Sequence, residues 1–380
     1  MASTKAKVCF VTPFFYPVIG GVEKHILESA KELIKMGYKV EVITSDLDRK
    51  GKIKKEHEIY RGIEIKRIKS WFRISFGEIF MPGIFDAVRK SDADIFHFHG
   101  LRHMYNLAEF STKKPCVITP HWPDYKGQRS FFIQLIIDTL DFIVSGKMLN
   151  RCSAICEVSE LEEEWLVSLG ADRKKIILTP NAISDEFLRK HDGRRFRNKY
   201  NLGERITVLS LSRIHKSKGL DQIIKVAPKF PNVNFVIMGK DGGAEKSLKE
   251  IASKLHVNNV IFAGQVNDKE KMEAYAGSDI FCAPSHFEAF NISLLEAMSQ
   301  GCAPITSDKG GMPWVSGKSG LTFVDEDIED LKIKLEKVIQ NKKLREKMQK
   351  SAVERAKDFS WKKTASILDK AYKKALDLNK

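Results

Sequence analysis

The stretch richest in chemistry is Ala283-Pro284-Ser285-His286-Phe287-Glu288-Ala289-Phe290-Asn291-Ile292-Ser293-Leu294-Leu295-Glu296-Ala297-Met298. A strand ends near Ala283, a loop carries Glu288, and Asn291 is a good N-cap for the helix that follows. The amides of Phe290, Asn291 and Ile292 then point out of the helix start, where an anion gains roughly 0.3 to 2 kcal/mol from the helix dipole. Of the two carboxylates, Glu288 and Glu296, one can accept hydrogen bonds from sugar hydroxyls and the other from a ribose, with phosphates held by the amides between them. Ser293-x-x-Glu296 also fits a capping box, a structural use for Glu296. A second cluster starts where the strand Thr207–Ser212 ends on Arg213 and runs on to Lys218-Gly219. An arginine fork and a lysine point charge at that spacing can grip two phosphates without a metal. Near the start of the chain, Gly20-Gly21-Val22 stands between an aromatic loop (Phe14-Phe15-Tyr16-Pro17) and a helix opening on Glu23. Paired glycines there let backbone approach a ligand closely, although the third glycine of the dinucleotide fingerprint is missing.

These loops need strands to carry them. Short β-rich runs alternate with helical patterns: Val8–Val11, then Glu23–Met36; Ile95–Phe98, then Arg102–Ser111; Cys116–Thr119, then Phe131–Leu149. A second series begins after about residue 204 with Thr207–Ser212, Asn234–Met238, Val260–Ala263, Ile280–Ala283 and Ala303–Thr306. Such alternation predicts right-handed β-α-β units on parallel sheets covered on both faces. We therefore expect an α/β protein of two facing, doubly wound Rossmann-like domains with a cleft between them. The expected boundaries are 1–185 for the first domain, completed by a C-terminal helix at 360–380, and 186–359 for the second. A polar, Arg-rich stretch from about Ser184 to Gly203 joins them. Trp361 and Leu368 are the expected anchors of the helical tail.

Composition narrows the classes. With 43% apolar and 30% charged residues, the 380-residue chain can build cores, and its net charge of +15 favours anionic partners. Six scattered cysteines, several inside apolar runs, read as reduced, buried thiols of a cytoplasmic protein. The apolar start after Lys7 is strand-length and runs into Pro13, unlike a leader peptide. The longest apolar stretch, Phe131 to Val144, contains Gln134, Asp138 and Asp141 and is too short to span a bilayer. Three Asp-x-Asp pairs (Asp46/Asp48, Asp92/Asp94, Asp325/Asp327) lack further ligands, so no required metal is expected while Arg213 and Lys218 face the phosphates.

At these residues the chain resembles family 4 of the retaining nucleotide-sugar glycosyltransferases, which have the GT-B architecture. The matching pieces are Gly20-Gly21-Val22, Asp94-Ile95-Phe96-His97-Phe98-His99, Thr119-Pro120-His121, Pro180-Asn181-Ala182, Arg213 with Lys218-Gly219, Gly239, Gly264-Gln265-Val266, and the glutamates Glu288 and Glu296. The resemblance implies that Arg213 and Lys218 neutralise a leaving diphosphate and that Glu288 binds donor-sugar hydroxyls. It further implies that amides from Ala289, Phe290, Asn291 and Ile292 cradle the distal phosphate and that Glu296 binds the ribose. Gln265 and Val266 would flank the base beside Gly239. Gly20 and Gly21 would approach the phosphates or acceptor, and His121 would lie against the reacting sugar. The chain departs from the family's usual Glu-Gly-Phe-Gly, reading Glu288-Ala289-Phe290-Asn291, and has Trp314 where an acidic residue is common after Pro313.

The implied activity is metal-independent transfer of a sugar from a UDP-, GDP- or ADP-sugar to a hydroxyl of a glycan or lipid-linked acceptor, with retention and without a cofactor. A nucleotide-sugar epimerase or a phosphorylase shares the architecture. A glycoside hydrolase fits less well, since Glu288 and Glu296 straddle a helix start instead of facing each other. A non-catalytic polyanion or nucleic-acid binder would rest on Arg49-Lys50-Gly51-Lys52-Ile53-Lys54-Lys55, yet the chain lacks the aromatic and basic interleaving of an RNA-reading sheet. That basic loop, with Trp71, Phe72, Phe76, Phe80 and Phe85 downstream, instead suggests peripheral contact with the cytoplasmic face of an anionic membrane, ordinary core packing being the alternative use of those aromatics.

Overall fold

The computed structural model describes residues 5–18, 20–48, 51–73, 79–121 and 144–378. Arg49 and Lys50 of the basic run, Phe76, and nearly all of the apolar stretch from Phe131 to Val144 lie outside the described residues. The chain divides into two compact units, Met1–Asn181 with Trp361–Lys380, and Ala182–Ser360.

Strands of the first unit are β1 (Lys7–Val11), β2 (Lys39–Ser45), β3 (His57–Tyr60), β4 (Ile63–Ile68), β5 (Phe72–Arg73), β6 (Ile79–Phe80), β7 (Ile95–His99), β8 (Cys116–Thr119), β9 (Ala154–Glu157) and β10 (Ile176–Leu178). Eight of them form one sheet in the order β10-β9-β8-β7-β1-β2-β4-β3, parallel except at β3; β5 and β6 pair separately, antiparallel. Alternate residues of β1 go to opposite faces. Cys9 and Val11 pack with Phe96, Phe98 and Ile84, while Val8 and Phe10 pack with Ile26, Leu33 and, from the C-terminal helix Trp361–Asp377, Leu368 and Tyr372. Trp361 and Leu368 are both buried.

The second unit has β11 (Thr207–Leu211), β12 (Asn234–Met238), β13 (Val260–Gly264), β14 (Ile280–Ala283), β15 (Ala303–Ser307) and β16 (Leu321–Phe323) in a parallel sheet ordered β13-β12-β11-β14-β15-β16. The chain leaves β11 toward one edge and β14 toward the other, which makes β11/β14 the topological switch point; β1/β7 plays the same part in the first unit. The stretch 184–203, expected as a joining segment, carries two short helices, Asp185–Leu188 and Arg194–Lys199. They are packed on the second unit because Phe187 and Phe196 are buried, Ser299 donates to the Phe187 carbonyl (2.9 Å) and Arg197 to that of Gly277 (2.7 Å). All six cysteines are buried free thiols, and among the described residues no helix is long and apolar enough to cross a membrane.

Candidate functional site

In the second unit the switch point brings the predicted cations and one carboxylate together. After β11 the chain passes Arg213 into a single tight turn, Lys216–Lys218, closed by Gly219 at φ +57°. A Cβ on Gly219 would stand 2.0 Å from the Pro284 carbonyl oxygen, so only glycine lets this turn lie against the loop leaving β14. The amide of His286 donates to the Ser217 carbonyl (3.1 Å), and Gln222 donates to the Pro284 carbonyl and to Asp325 (both 2.9 Å). Asp325 also faces His286 Nδ1 at 2.9 Å. Stapled in this way, the two loops place the Lys218 ammonium in an ion pair with the Glu288 carboxylate, seventy residues away in the chain.

The surroundings of His215 show that this corner is electropositive. Its imidazole is held below the usual range by burial first, then by Arg213, Lys218 and Lys216. The Arg213 stem is backed by Gly242, where a Cβ would come within 2.9 Å of it. Glu288 is fixed through its backbone: Gly311 donates to its carbonyl (2.8 Å), and a Cβ on Gly310, at φ +65°, would meet that oxygen at 2.0 Å. Beyond Glu288 the helix Ile292–Ser299 begins at Asn291, whose side chain accepts from the Leu294 amide at 3.0 Å. Asn291 sits at φ +72°, a conformation that Asn tolerates better than most residues. It holds the position where the family usually has its second glycine.

Glu296 is placed differently from Glu288. It is no capping residue, Asn291 having taken that part, and its side chain is 1% exposed. Its Oε2 accepts from the Tyr275 hydroxyl at 3.0 Å and pairs with Lys271 at 3.3 Å. Burial alone would lower the Lys271 ammonium, but Glu296 and Asp268 keep it above its ordinary value. Gly239, at φ +146°, lets the Ser212 carbonyl approach to where a Cβ would be 1.8 Å away, and its amide donates to Gly264 (2.8 Å). Gln265, exposed, and Val266, half-buried, follow directly, before the helix Asp268–Ala276 capped by Asn267. Trp314 packs against Phe290 (6.2 Å) and Phe359 (5.6 Å), with the Arg355 guanidinium over the Trp314 and Phe359 rings. An aromatic there braces the start of the Glu288 loop's helix, a use no acidic side chain could fill.

In the first unit, Gly20 is the N-cap of the helix Gly21–Lys35, and a Cβ at Gly21 would meet nothing within 4 Å. Packing inside the protein therefore does not require glycine at Gly21. His121 follows the tip of β8 at φ +56°, with its Nε2 3.0 Å from His99 Nδ1. Four imidazoles, those of His25, His97, His99 and His121, lie in a chain of ring contacts between 4.4 and 5.4 Å. Burial is the main reason all four are held below the ordinary histidine range, His25 down to about 4. His25 Nδ1 meets Asn181 Oδ1 at 2.7 Å, and His97 is held between Tyr372 (2.6 Å) and Thr119 (2.7 Å). The histidines at 25 and 99, Gln222 and Asp325 are not marked as site residues by the sequence. The tandem His97-Phe98-His99 at a strand tip is the one local signal among them.

Each Asp-x-Asp pair has structural work. Asp46 accepts from the Ser70 amide (2.8 Å), Asp94 from the Lys7 amide (2.7 Å), Asp92 pairs with the Lys7 ammonium (2.7 Å), and Asp327 caps the helix Ile328–Gln340.

Comparison with known proteins follows the same division. A model of the glycosyl transferases group 1 matches residues 192–355, and one of Glycosyltransferase Family 4 matches residues 19–187. A phosphatidyl-myo-inositol mannosyltransferase of Mycolicibacterium smegmatis is 27% identical, the match covering 96% of this chain and 93% of that protein. One component of the Arabidopsis thaliana phosphatidylinositol N-acetylglucosaminyltransferase is 25% identical over 88% of this chain and 74% of its own length. Among solved structures, the Anabaena protein HepE in complex with UDP and glucose superposes with a TM-score of 0.78 over 97% of this chain and 100% of that one, at 17% identity.

Proposed function

Because the chain belongs to the group 1, family 4 glycosyltransferases of GT-B architecture, we propose that it moves a sugar from a nucleoside-diphosphate donor to a hydroxyl acceptor with retention at the anomeric carbon and without a metal ion. The observation that carries this is the Lys218–Glu288 pair, set with Arg213 at the β11/β14 switch point in front of a helix start. In this proposal the bond between the anomeric carbon and the β-phosphate oxygen breaks while the acceptor oxygen bonds to that carbon. The acceptor proton passes to the leaving diphosphate. Charge that grows on the diphosphate is met by Arg213, Lys218 and the amides from Ala289 to Ile292, whose fixed dipoles cost no reorganisation during reaction.

Glu288 takes hydroxyls of the donor sugar as Lys218 turns from the carboxylate to the phosphates. Glu296, oriented by the bonds of its Oε2 to Tyr275 and Lys271, takes the ribose with the further acceptor capacity of a carboxylate, while Gln265 and Val266 flank the base beside Gly239. In the first unit, Gly20 and Gly21 allow close backbone approach, and His121 bonds to the sugar. Use of cations in place of a metal is supported by the engagement of the Asp-x-Asp carboxylates with backbone amides, Lys7 and, for Asp325, Gln222 and His286. The two relatives bear phosphatidylinositol in their names, which supports a lipid-borne hydroxyl as acceptor and a protein working at a membrane surface; the buried free thiols support the cytoplasmic face in this reading.

The test is product analysis by proton NMR, with UDP-, GDP- and ADP-sugars offered alongside a phosphatidylinositol or glycoside acceptor. A new glycoside with the donor's anomeric configuration, formed only when acceptor is present, is the expected product. An inverted linkage would refute retention. An epimerised donor formed without acceptor would assign the site to the epimerase reaction.

A further inference from the structure

We propose that the first unit carries a docking ridge for an anionic lipid surface, formed by Trp71, Phe72 and Phe80 with the cations Lys52, Lys69 and Arg73. Trp71 is 68% exposed and Phe72 53%, so these two rings are not part of the core. They are also not loose. Phe72 stacks on Phe80 (5.1 Å, 23° between planes), and Trp71 meets Phe80 edge-on at 5.7 Å. The base beneath them is tied down by backbone and cations: Trp71 donates its amide to the Phe80 carbonyl (2.8 Å), Lys52 donates to the Ser70 carbonyl (3.0 Å), and Ser70 is bonded to Asp46. Arg73 reaches the Asp48 carbonyl (2.8 Å) and lies over the Phe14 ring at 5.3 Å. An aromatic set built outward on a wired base keeps apolar area in water, where burial would be favourable.

Charge selects the occupant. From Lys52 to Arg73 the chain has eight lysines and arginines against three glutamates. Arg67 is turned inward onto Glu58, whereas Lys52, Lys54, Lys55, Lys69 and Arg73 are exposed. Amphipathic aromatics beside exposed cations fit a headgroup layer of negative lipids: rings enter the interface while ammonium and guanidinium groups meet phosphate. The apolar character continues on the neighbouring segment Met104–Ser111, packed on β6 and on the helix Gly83–Lys90, with Met104 and Phe110 exposed.

Position gives the ridge its use. Trp71 and Phe72 follow the carboxyl end of β4, the sheet edge from which the Gly20-Gly21 loop, His99 and His121 also project. Seated there, lipid would present a membrane-borne hydroxyl on the side of the unit that holds these groups. This use rests on the proposed transferase activity; binding of the surface does not.

The experiment is co-sedimentation of the full chain at low salt with vesicles of phosphatidylcholine alone and of phosphatidylcholine mixed with phosphatidylglycerol. We expect partition onto the mixed vesicles only, about tenfold weaker for Trp71→Ser/Phe72→Ser and weaker for Lys52→Gln/Lys69→Gln with a shallower salt dependence. Both variants should keep the parent's turnover on a water-soluble acceptor, and Trp71→Ser/Phe72→Ser should keep its melting temperature. Equal partition of parent and Trp71→Ser/Phe72→Ser, or equal binding to neutral vesicles, would overturn the assignment. So would loss of a dimer, seen by sedimentation velocity in that variant, with vesicle binding unchanged; the face would then be a self-association surface. Vesicle binding by a parent that turns over no nucleotide-sugar would leave the ridge standing and remove the transferase proposal instead.

Discussion

Lys218→Ala and Arg213→Ala are each expected to lower kcat by about 10² to 10³, with little change in melting temperature. Negative charge on the diphosphate is larger in the transition state than in the bound donor, so a lost cation shows mainly in kcat and less in KM. Lys218→Ala carries a second penalty. Glu288 would lose its ion-pair partner and present a bare carboxylate toward the incoming diphosphate, adding repulsion to the lost attraction. Stability should respond less than turnover, because the pair is only part-buried and the Glu288 carboxylate keeps some access to water once the lysine is gone. Steady-state kinetics alongside a thermal melt separates the two readouts. Near-parental turnover in both variants would remove these side chains from the chemistry.

Gly310→Ala is expected to lose nucleotide binding by at least about tenfold and to melt below the parent, although residue 310 carries no side chain that could touch a ligand. Its φ of +65° strains any L-residue by about 1 kcal/mol, and a methyl group would stand 2.0 Å from the Glu288 carbonyl oxygen. No rotamer relieves that contact, since neither the Cβ nor the carbonyl can rotate away. The loop bearing Glu288 must move, and with it the start of the helix Ile292–Ser299. Differential scanning fluorimetry with and without nucleoside diphosphate reads both effects. A variant that melts and binds like the parent would show that the Glu288 loop need not stand where it does.

Much of this was legible in the sequence because parallel strands buried on both faces are continuous apolar runs. Val8–Val11, Thr207–Ser212 and Ile280–Ala283 are of that kind, and each lies within a residue of its observed strand. The β3/β4 edge was not legible: Glu58, Glu64 and Lys66 interrupt its apolar residues, and Ile59 is exposed. Ile176–Leu178 and Leu321–Phe323 are too short to register a period. At the site, the helix start at Asn291 could be read from local chemistry, since a cap acts over three residues. The staples could not, because His286 and Gln222 meet at Asp325 across 39 and 103 residues of chain with no local pattern. Glu296 is the instructive case. Its eight-residue spacing from Glu288 reads as a matched pair, yet the helix Ile292–Ser299 buries everything from Leu294 to Ser299, and a carboxylate on it faces Tyr275 and Lys271. Similarly, Trp71 and Phe72 had core packing as their alternative in the sequence, and only exposure decided against it.

In the proposed reaction, side-chain cations and main-chain amides of the second unit receive a diphosphate with no ion between them, and calorimetry addresses this most directly. Nucleoside diphosphates and monophosphates would be titrated, with a chelator present throughout, into the parent chain and into Lys218→Ala. The predicted result is that one diphosphate binds the parent clearly more tightly than its monophosphate and that Lys218→Ala erases most of this difference. Binding that vanishes with chelator, or a diphosphate preference unchanged in Lys218→Ala, would contradict it.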